Sequence, residues 1–208
     1  DMAANIDALG RAVLQKARML FLNYPNNPTA AVASLEYLER AVAACRKHDI
    51  ILAYDNAYCD IVFDGYRAPS IFEVPGADEV AIEFFSLSKS FSMTGWRIGF
   101  AVGRAPFVGP LTQVKTYTDT GPFLAVQEAG AAVLDKAEEL TAPICAEIAR
   151  RRDAAVPALR AAGFQVELPK AAMYLWVGLP AGVNSKAFAR HALEVEGVLV
   201  LPGSAFGP

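Results

Sequence analysis

Three polar segments carry the side chains of this sequence that could do chemistry, and each ends or follows an apolar run. NYPNNPT at 23–29 places amide side chains in a turn made rigid by two prolines. DNAY at 55–58 begins with a carboxylate that ends the apolar run IILAY, where a charge is costly unless it meets a cation or water. SLSKSFSMTGWRIG at 86–99 contains serines, a lysine and an arginine. Each segment alone is also typical of an ordinary turn or an N-cap.

Lys89 is the candidate nucleophile of the third segment. It lies where an apolar strand gives way to a polar turn, and partial desolvation there favours the neutral, nucleophilic amine. Ser86 and Ser88 are two residues apart, which predicts that both hydroxyls project from one side of a strand. Arg97 adds a guanidinium with several donors. Such a set suits a phosphorylated aldehyde, because the amine can condense with the carbonyl while hydroxyls and guanidinium bind the phosphate.

The elements that must position these residues are strands alternating with helices. The apolar spacing over 34–48 predicts a helix with Ser34 as its N-cap. The predicted strands are 19–23, 50–55, 80–88 and 98–103. This alternation predicts an α/β fold with a mostly parallel sheet covered by helices. Each polar segment follows a strand, so all three can lie along one edge of that sheet, where open α/β sheets bind ligands.

The C-terminal third changes character. Residues 122–140 and 141–162 are rich in alanine and amphipathic, which predicts helices. Pro157 should kink or interrupt the second helix, and Gly163 should end it. Further strands are predicted at 164–168, 173–179 and 198–202, around a helix near 185–195. We place a domain change near residue 140, which divides the chain into 1–140 and 141–208.

Composition excludes several classes of protein. The 208 residues are 54% hydrophobic with a formal net charge of −3, unlike a disordered chain or a dedicated nucleic-acid binder. Three widely spaced cysteines, Cys45, Cys59 and Cys145, form neither a disulfide framework nor a zinc motif, which favours a reducing compartment and predicts no metal. No apolar run reaches the roughly 18 residues of a membrane span. Dinucleotide, P-loop, zincin and serine-hydrolase motifs are missing from the sequence.

Taken together, the three segments supply the set of groups that pyridoxal 5′-phosphate requires. Its pyridine nitrogen needs an anion to stay protonated, and its phenolic oxygen needs neutral donors. Its aldehyde needs a lysine, and its phosphate needs hydroxyls and a cation. The carboxylate, amide, amine, hydroxyls and guanidinium of the three segments match these needs.

In order and spacing the segments resemble the motifs of the class I/II aminotransferases, which are fold type I pyridoxal-phosphate enzymes. NNPT at 26–29 resembles their NPTG loop, DNAY at 55–58 their D-x-A-Y, and 86–99 their S-x-S-K…G-x-R-x-G. Flanking segments agree at 111–129, 151–180 and 198–207, so the resemblance covers nearly the whole chain. The members most similar in character act on diaminopimelate, succinyl-diaminopimelate or aspartate-type amino-dicarboxylates.

The resemblance implies a role for each matching residue. Lys89 would form the internal aldimine with the cofactor and then move a proton between the substrate's α-carbon and the cofactor. Asp55 would pair with the pyridinium nitrogen, while Asn27 and Tyr58 would bond the phenolic oxygen. The residues that would hold the phosphate are Ser86, Ser88 and Arg97. The implied reaction is transamination between an amino acid and a 2-oxo acid, by a cytoplasmic homodimer. Residues 1–140 would be part of the large cofactor-binding domain and 141–208 part of the small C-terminal domain.

This sequence also departs from the family pattern. Ala30 stands where the family usually has glycine, which implies strain if that position needs a positive φ. The family's upstream phosphate loop and its α-carboxylate-binding arginine match no segment here. We therefore expect the chain alone to be an incomplete fragment, with exposed apolar edges.

Several alternatives stay open at this point. A carbon–sulfur lyase or an aminocyclopropane-type synthase of the same fold would share every motif. A non-catalytic fragment is a further alternative, whereas a nicotinamide-dependent oxidoreductase would lack its glycine fingerprint. We expect core packing for Tyr174 and Trp176, and a buried inert thiol at Cys59. His48 and His191 are expected to be structural or at the surface.

Overall fold

A four-stranded mixed sheet organises the first half of the chain in the computed structural model, which describes residues 6–207. The strands are β1 (Met19–Asn23), β2 (Ile51–Asp55), β3 (Ala81–Ser86) and β4 (Gly99–Gly103). They lie in the order β1-β2-β3-β4, with the first three parallel and β4 antiparallel to β3. All four predicted strands are confirmed, β1 with the predicted bounds and the other three with shorter ones. β4 runs antiparallel because residues 87–98 turn back at the edge where β3 ends.

Helices cover the sheet and build the C-terminal part. They are α1 (Arg11–Lys16), α2 (Leu35–His48), α3 (Leu87–Ser90), α4 (Ala105–Thr118), α5 (Leu124–Leu134), α6 (Ala137–Ala161) and α7 (Ser185–Glu196). Short 3₁₀ turns occur at Ile6–Ala8, Ile71–Glu73, Ala77–Glu79, Thr94–Trp96 and Gly203–Ala205. Within residues 6–207, no helix is both long and apolar enough to cross a membrane.

Helix α2 shows how the core forms. The Ser34 hydroxyl accepts a hydrogen bond from the Tyr37 N–H at 3.2 Å and caps the helix, as predicted. The predicted apolar face is buried from Leu38 to Cys45, and it packs on Leu52 and neighbouring core residues. Burying each large side chain of this face stabilises the fold by roughly 1.5–3 kcal/mol. The first turn is the exception, since Leu35 is 40% exposed.

The C-terminal region differs from its prediction in several places; the two helices, for example, divide between Leu134 and Ala137 and not at residue 140. Helix α6 runs without interruption through Pro157, so the predicted break is wrong. Gly163 follows the helix with φ +88°, and its N–H donates to the Arg160 carbonyl at 3.0 Å, which confirms the predicted stop. The only strands here are the two-residue pair β5 (Gln165–Val166) and β6 (Val177–Gly178) among the described residues. Residues 198–202 form no strand because no described segment offers a pairing partner.

Arg152 of α6 contacts the segment around residues 63 and 64 in the N-terminal part of the chain. Its side chain is 5% exposed, and Nη1 lies 2.7 Å from Asp64 Oδ2. Nη1 also donates to the Pro169 carbonyl at 2.9 Å, and the guanidinium lies 4.6 Å from the Phe63 ring centroid. These contacts bring α6 against the segments around residues 63 and 169, and so set one wall of the cavity described next. The predicted domain change near residue 140 falls in the first turns of α6 and stays a prediction.

Candidate active site

The predicted site residues lie at one end of the sheet, where the parallel strands β1, β2 and β3 terminate. Asn23 lies opposite Asp55 in the register of β1 and β2, and Ser86 lies opposite Gly99 in that of β3 and β4. The parallel strands end at this edge, and the antiparallel β4 begins there. Arg97, two residues before β4, therefore comes to the same edge as the other segments despite the reversed strand.

A network of asparagines fixes the loop after β1. Asn23 Oδ1 accepts from the Asn27 N–H at 2.9 Å, and Asn23 Nδ2 donates to the Asp55 carbonyl at 3.0 Å. Asn26 Oδ1 accepts from the Thr29 hydroxyl at 2.7 Å. The sequence analysis included Asn23 in the segment 23–29 but gave it no role, although an amide that ends an apolar strand is the same signal that singled out Asp55. Ala30 has φ +58°, so the strained conformation anticipated for that position is present.

Tyr58 lies buried beneath this loop. Asn27 Nδ2 donates to Tyr58 Oη at 3.5 Å, while the Tyr174 hydroxyl makes a second hydrogen bond to the same oxygen. The two tyrosine rings pack edge to face, with centroids 5.5 Å apart. Burial raises the pKa of Tyr58 well above its ordinary value. The phenol is therefore neutral at physiological pH and able to donate.

Core packing was predicted for Tyr174 and Trp176. It is confirmed for Tyr174, which packs against the buried cluster of Ala30, Tyr58 and Ala172, and it is wrong for Trp176. Tyr174 is half-buried and hydrogen-bonded, and Trp176 is 38% exposed beside Phe206. Trp176 is exposed because it precedes β6 and is not part of a strand packed on a core. The Tyr174 hydroxyl is the polar group that sequence reasoning missed here.

Asp55 is a half-buried carboxylate at the end of β2. Burial raises its pKa above the ordinary value, and a backbone hydrogen bond from Ala57 opposes this shift. Within residues 6–207 it forms no ion pair, unlike the exposed carboxylates of Glu79 and Glu147. A half-buried carboxylate of this kind is suited to pair with a positively charged group of a ligand. No group of three possible metal-ligating side chains occurs in the described part of the chain.

Ser86 and Ser88 do not share a strand face, so that prediction is wrong. Ser86 ends β3 and caps α3, and its Oγ accepts from the Ser88 N–H at 3.2 Å. Ser88 therefore belongs to a helical turn, where it is buried. The Arg97 guanidinium is exposed and donates to the Thr94 carbonyl at 3.0 Å. Thr94 Oγ1 in turn donates to the Ser88 carbonyl at 3.0 Å, which links the arginine turn to the serine turn through backbone groups.

Lys89 lines a cavity of about 690 Å³ together with Ser88. The opposite walls come from α6 and from residues 169–175, including Tyr174. The half-buried Lys89 amine has no hydrogen bond or ion pair to any described residue. The other predicted site residues do not line this cavity; they are Asn27, Asp55, Tyr58, Ser86 and Arg97.

The other residues singled out from sequence lie elsewhere. His48 is half-buried at the end of α2, and His191 is exposed on α7. Cys59 is half-buried, with its thiol pKa raised by burial, which keeps it protonated.

Comparison with known proteins gives the family. The model of "Aminotransferase class I and II" matches residues 1–208. The chain belongs to this family. Among curated relatives, it is 45% identical to LL-diaminopimelate aminotransferase 2 of Trichormus variabilis over 98% of this chain and 52% of the relative. It is also 45% identical to glutamate-pyruvate aminotransferase AlaC of Escherichia coli, over 100% and 51% respectively.

Solved structures agree with the sequence relatives. A probable N-succinyldiaminopimelate aminotransferase from Thermus thermophilus superposes with a TM-score of 0.92 at 39% identity. The match covers 99% of this chain and 55% of that structure. The fold type I α/β class predicted from the motifs is thereby confirmed. The chain spans about half the length of the aminotransferases that it matches.

Proposed function

We propose that this protein is a pyridoxal 5′-phosphate-dependent aminotransferase that moves an amino group between an amino acid and a 2-oxo acid. The proposal is carried by two groups at the same end of the sheet: the Lys89 amine, which bonds no described residue, and the Asp55 carboxylate, which pairs with no described cation. A half-buried carboxylate is costly unless a cation pairs with it, and a cationic ligand would relieve that cost. Membership of a family known to use this cofactor supports the proposal.

The donor set of the site fits the cofactor. When bound, pyridoxal phosphate acts as an electron sink that stabilises negative charge on the substrate's α-carbon. The Asp55 carboxylate would hold the proton on the pyridine nitrogen, because a half-buried anion stabilises a cation beside it. Tyr58 and Asn27 would orient the ring by donating to its phenolic oxygen. The phosphate would be held by Ser86, Ser88 and Arg97.

Lys89 has two tasks in this proposal. Its Nζ would hold the cofactor's aldehyde carbon, and after exchange with the amino substrate the freed amine would carry a proton at the α-carbon. The Lys89 side chain is free to do both, since its amine makes no hydrogen bond or ion pair to a described residue. The exposed Arg97 would have to turn from Thr94 towards the phosphate, a change within reach of a flexible surface side chain.

The substrate class is proposed no more narrowly than an amino acid with a 2-oxo acid. Relatives of equal identity are named for different amino donors, LL-diaminopimelate in one and glutamate in the other. The homodimer and the cytoplasmic location implied by the resemblance stay predictions, and sedimentation of the purified protein tests the first.

Reconstitution with pyridoxal phosphate tests the proposal. We expect a visible absorption band that borohydride reduction fixes on the peptide containing Lys89. Lys89→Ala should lose the band and at least about 100-fold of the activity, since no other group replaces the amine. Lys115→Ala is the matched control, because Lys115 is an exposed lysine of α4 and its amine pairs with Asp119. Absence of the band from the unaltered protein, or its survival in Lys89→Ala, would contradict the proposal.

The reaction type needs a second measurement. A transaminase forms a new 2-oxo acid only while a 2-oxo acid acceptor is consumed in equal amount. A lyase or synthase of the same fold forms its product without the acceptor. Omitting the acceptor should therefore stop turnover after a single equivalent per site.

A further inference from the structure

Tyr174 contacts the proposed site from the C-terminal part of the chain. It lines the Lys89 cavity, and it also lines a groove of about 820 Å³ to which Asn27 contributes. Its hydroxyl is hydrogen-bonded to that of Tyr58. Tyr174 therefore connects the phenol proposed for the cofactor with the wall of the cavity that holds Lys89.

Backbone pairing fixes Tyr174 in this place. The segment after Tyr58 pairs with the segment before Tyr174: the Phe63 N–H donates to the Lys170 carbonyl at 3.0 Å, and the Ala172 N–H donates to the Ile61 carbonyl at 2.8 Å. Ala172 is buried with φ +64°, and it packs with Ala30 against the Tyr58 ring. A non-glycine residue in this conformation persists only where its surroundings enforce it.

The count of hydroxyl protons decides the direction of the contact. Tyr58 has one proton, and the Asn27 amide nitrogen can only donate to its oxygen. When Tyr58 gives its proton to the cofactor's phenolic oxygen, Tyr174 must be the donor in the contact between the two phenols. We propose that Tyr174 is a positioning residue that donates to Tyr58 and so directs the Tyr58 proton to the phenolic oxygen of pyridoxal phosphate. This inference rests on the proposed function.

The surroundings of Tyr58 leave this task to Tyr174. The Asn27 donor is 3.5 Å away, at the outer limit of a hydrogen bond, so it is a weak substitute. Asp55 is the charged group that acts on Tyr58, and the residues packed on its ring, Ala30 and Ala172, are apolar. Hydrogen bonds in a chain polarise one another. A hydrogen bond donated by Tyr174 to the Tyr58 oxygen therefore makes the Tyr58 O–H a stronger donor.

The test uses the cofactor-loaded protein and its visible spectrum. Tyr174→Phe keeps the ring and removes the hydroxyl. We expect about a 5- to 10-fold weaker affinity for pyridoxal phosphate, the effect of one lost hydrogen bond. The pH midpoint of the Lys89-dependent band should rise by about 0.5–1 unit. Without the Tyr174 hydroxyl, Tyr58 is a weaker donor and leaves more negative charge on the cofactor's phenolic oxygen. That charge holds the proton on the Lys89 nitrogen more tightly, so the midpoint rises.

Two further variants separate positioning from packing. In the Tyr58→Phe background, Tyr174→Phe should have no additional effect, since its action passes through Tyr58. Tyr66→Phe is the matched control: it removes another partly buried tyrosine hydroxyl, bonded to the Ala33 carbonyl, and should leave band and affinity unchanged. An unchanged midpoint in Tyr174→Phe, or a full effect without the Tyr58 hydroxyl, would overturn the inference while the band itself upholds the proposed function. A protein with no Lys89-dependent band would overturn both.

Discussion

Conformational and electrostatic costs are concentrated in the residues around the candidate site. Ala30, Arg97 and Ala172 all have positive φ values, between +54° and +64°, which cost a non-glycine residue on the order of 1 kcal/mol each. Asp55 adds a half-buried carboxylate that pairs with no cation within residues 6–207. These costs weaken the cofactor-free fold, and a cationic ligand that pairs with Asp55 offsets the electrostatic part on binding.

Asp55→Asn therefore has opposite effects on stability and on activity. The raised pKa of Asp55 means that its ionised form destabilises the fold, so stability is lost as pH rises through that pKa. Without cofactor at pH 8, we expect the free energy of unfolding of Asp55→Asn to exceed that of the parent by about 0.3–0.5 kcal/mol, after allowance for solvent screening. Activity should fall by about 100-fold or more, because a neutral amide does not hold the pyridinium proton. Urea unfolding and steady-state kinetics measure the two effects; a stability loss without cofactor would contradict this account.

Residue types in the site could be predicted from sequence, but their partners could not. The amine, carboxylate and amide were found because polar groups at the ends of apolar strands are conspicuous, whereas the Tyr58 phenol came from the resemblance to the family motif. The contact of Tyr174 with Tyr58 joins residues 116 positions apart and leaves no local pattern. The use of Ser86 as a cap likewise depends on where β3 stops, which the alternating sequence does not specify.

Elements were predictable where their own pattern determines them. The strands β1 to β3 are apolar runs bounded by turn residues, and α2 has a complete apolar face with a capping serine. The direction of β4 depends on how residues 87–98 turn, which is a tertiary property. The apolar run at 198–202 failed as a strand because β structure requires a partner. Pro157 did not break α6, whose Arg152 and Val156 are anchored in the interior.

The contacts of Arg152 can be tested for their contribution to the stability of the fold. Removing its buried guanidinium leaves the Pro169 carbonyl without a donor and α6 without its tie to Asp64. Arg152→Ala should lower the free energy of unfolding by about 2–3 kcal/mol, less than for a fully buried pair because its carboxylate partners are exposed. The adjacent Arg151→Ala removes an exposed pair with Glu147 and should cost less than about 0.5 kcal/mol. Equal losses in urea unfolding of the two variants would contradict the role assigned to Arg152.

For the whole molecule, both edges of the sheet expose large apolar side chains, as the sequence predicted. Met19 and Phe21 of β1 are 56% and 61% exposed, and Phe100 and Val102 of β4 are also exposed. Open apolar edges of this kind promote association between chains. We therefore expect the apparent mass of the 208-residue chain in light scattering to rise with concentration. A constant monomer mass would contradict this expectation.

Glu83 makes the stability of the whole fold depend on pH. Its carboxyl is fully buried in β3, where Asn56 Nδ2 donates to it at 2.8 Å and the Ser70 hydroxyl at 2.5 Å. Burial nevertheless raises its pKa, so the folded state binds the proton more tightly than the unfolded state. Its stabilising contribution is complete below the unfolded pKa of about 4.3 and is lost as pH rises through the raised folded value.

Glu83→Gln should remove this dependence. The amide keeps an acceptor for Asn56 and can donate to Ser70, so the network survives without the buried charge. We expect the variant to be more stable than the parent by about 1–2 kcal/mol at pH 8, with the advantage shrinking towards pH 4. Glu79→Gln is the control, since it neutralises an exposed carboxylate paired with Arg46 and should change stability by less than about 0.5 kcal/mol. Urea unfolding from pH 4 to 8 measures the difference, and a gap that stays constant with pH would show that Glu83 does not titrate in the fold.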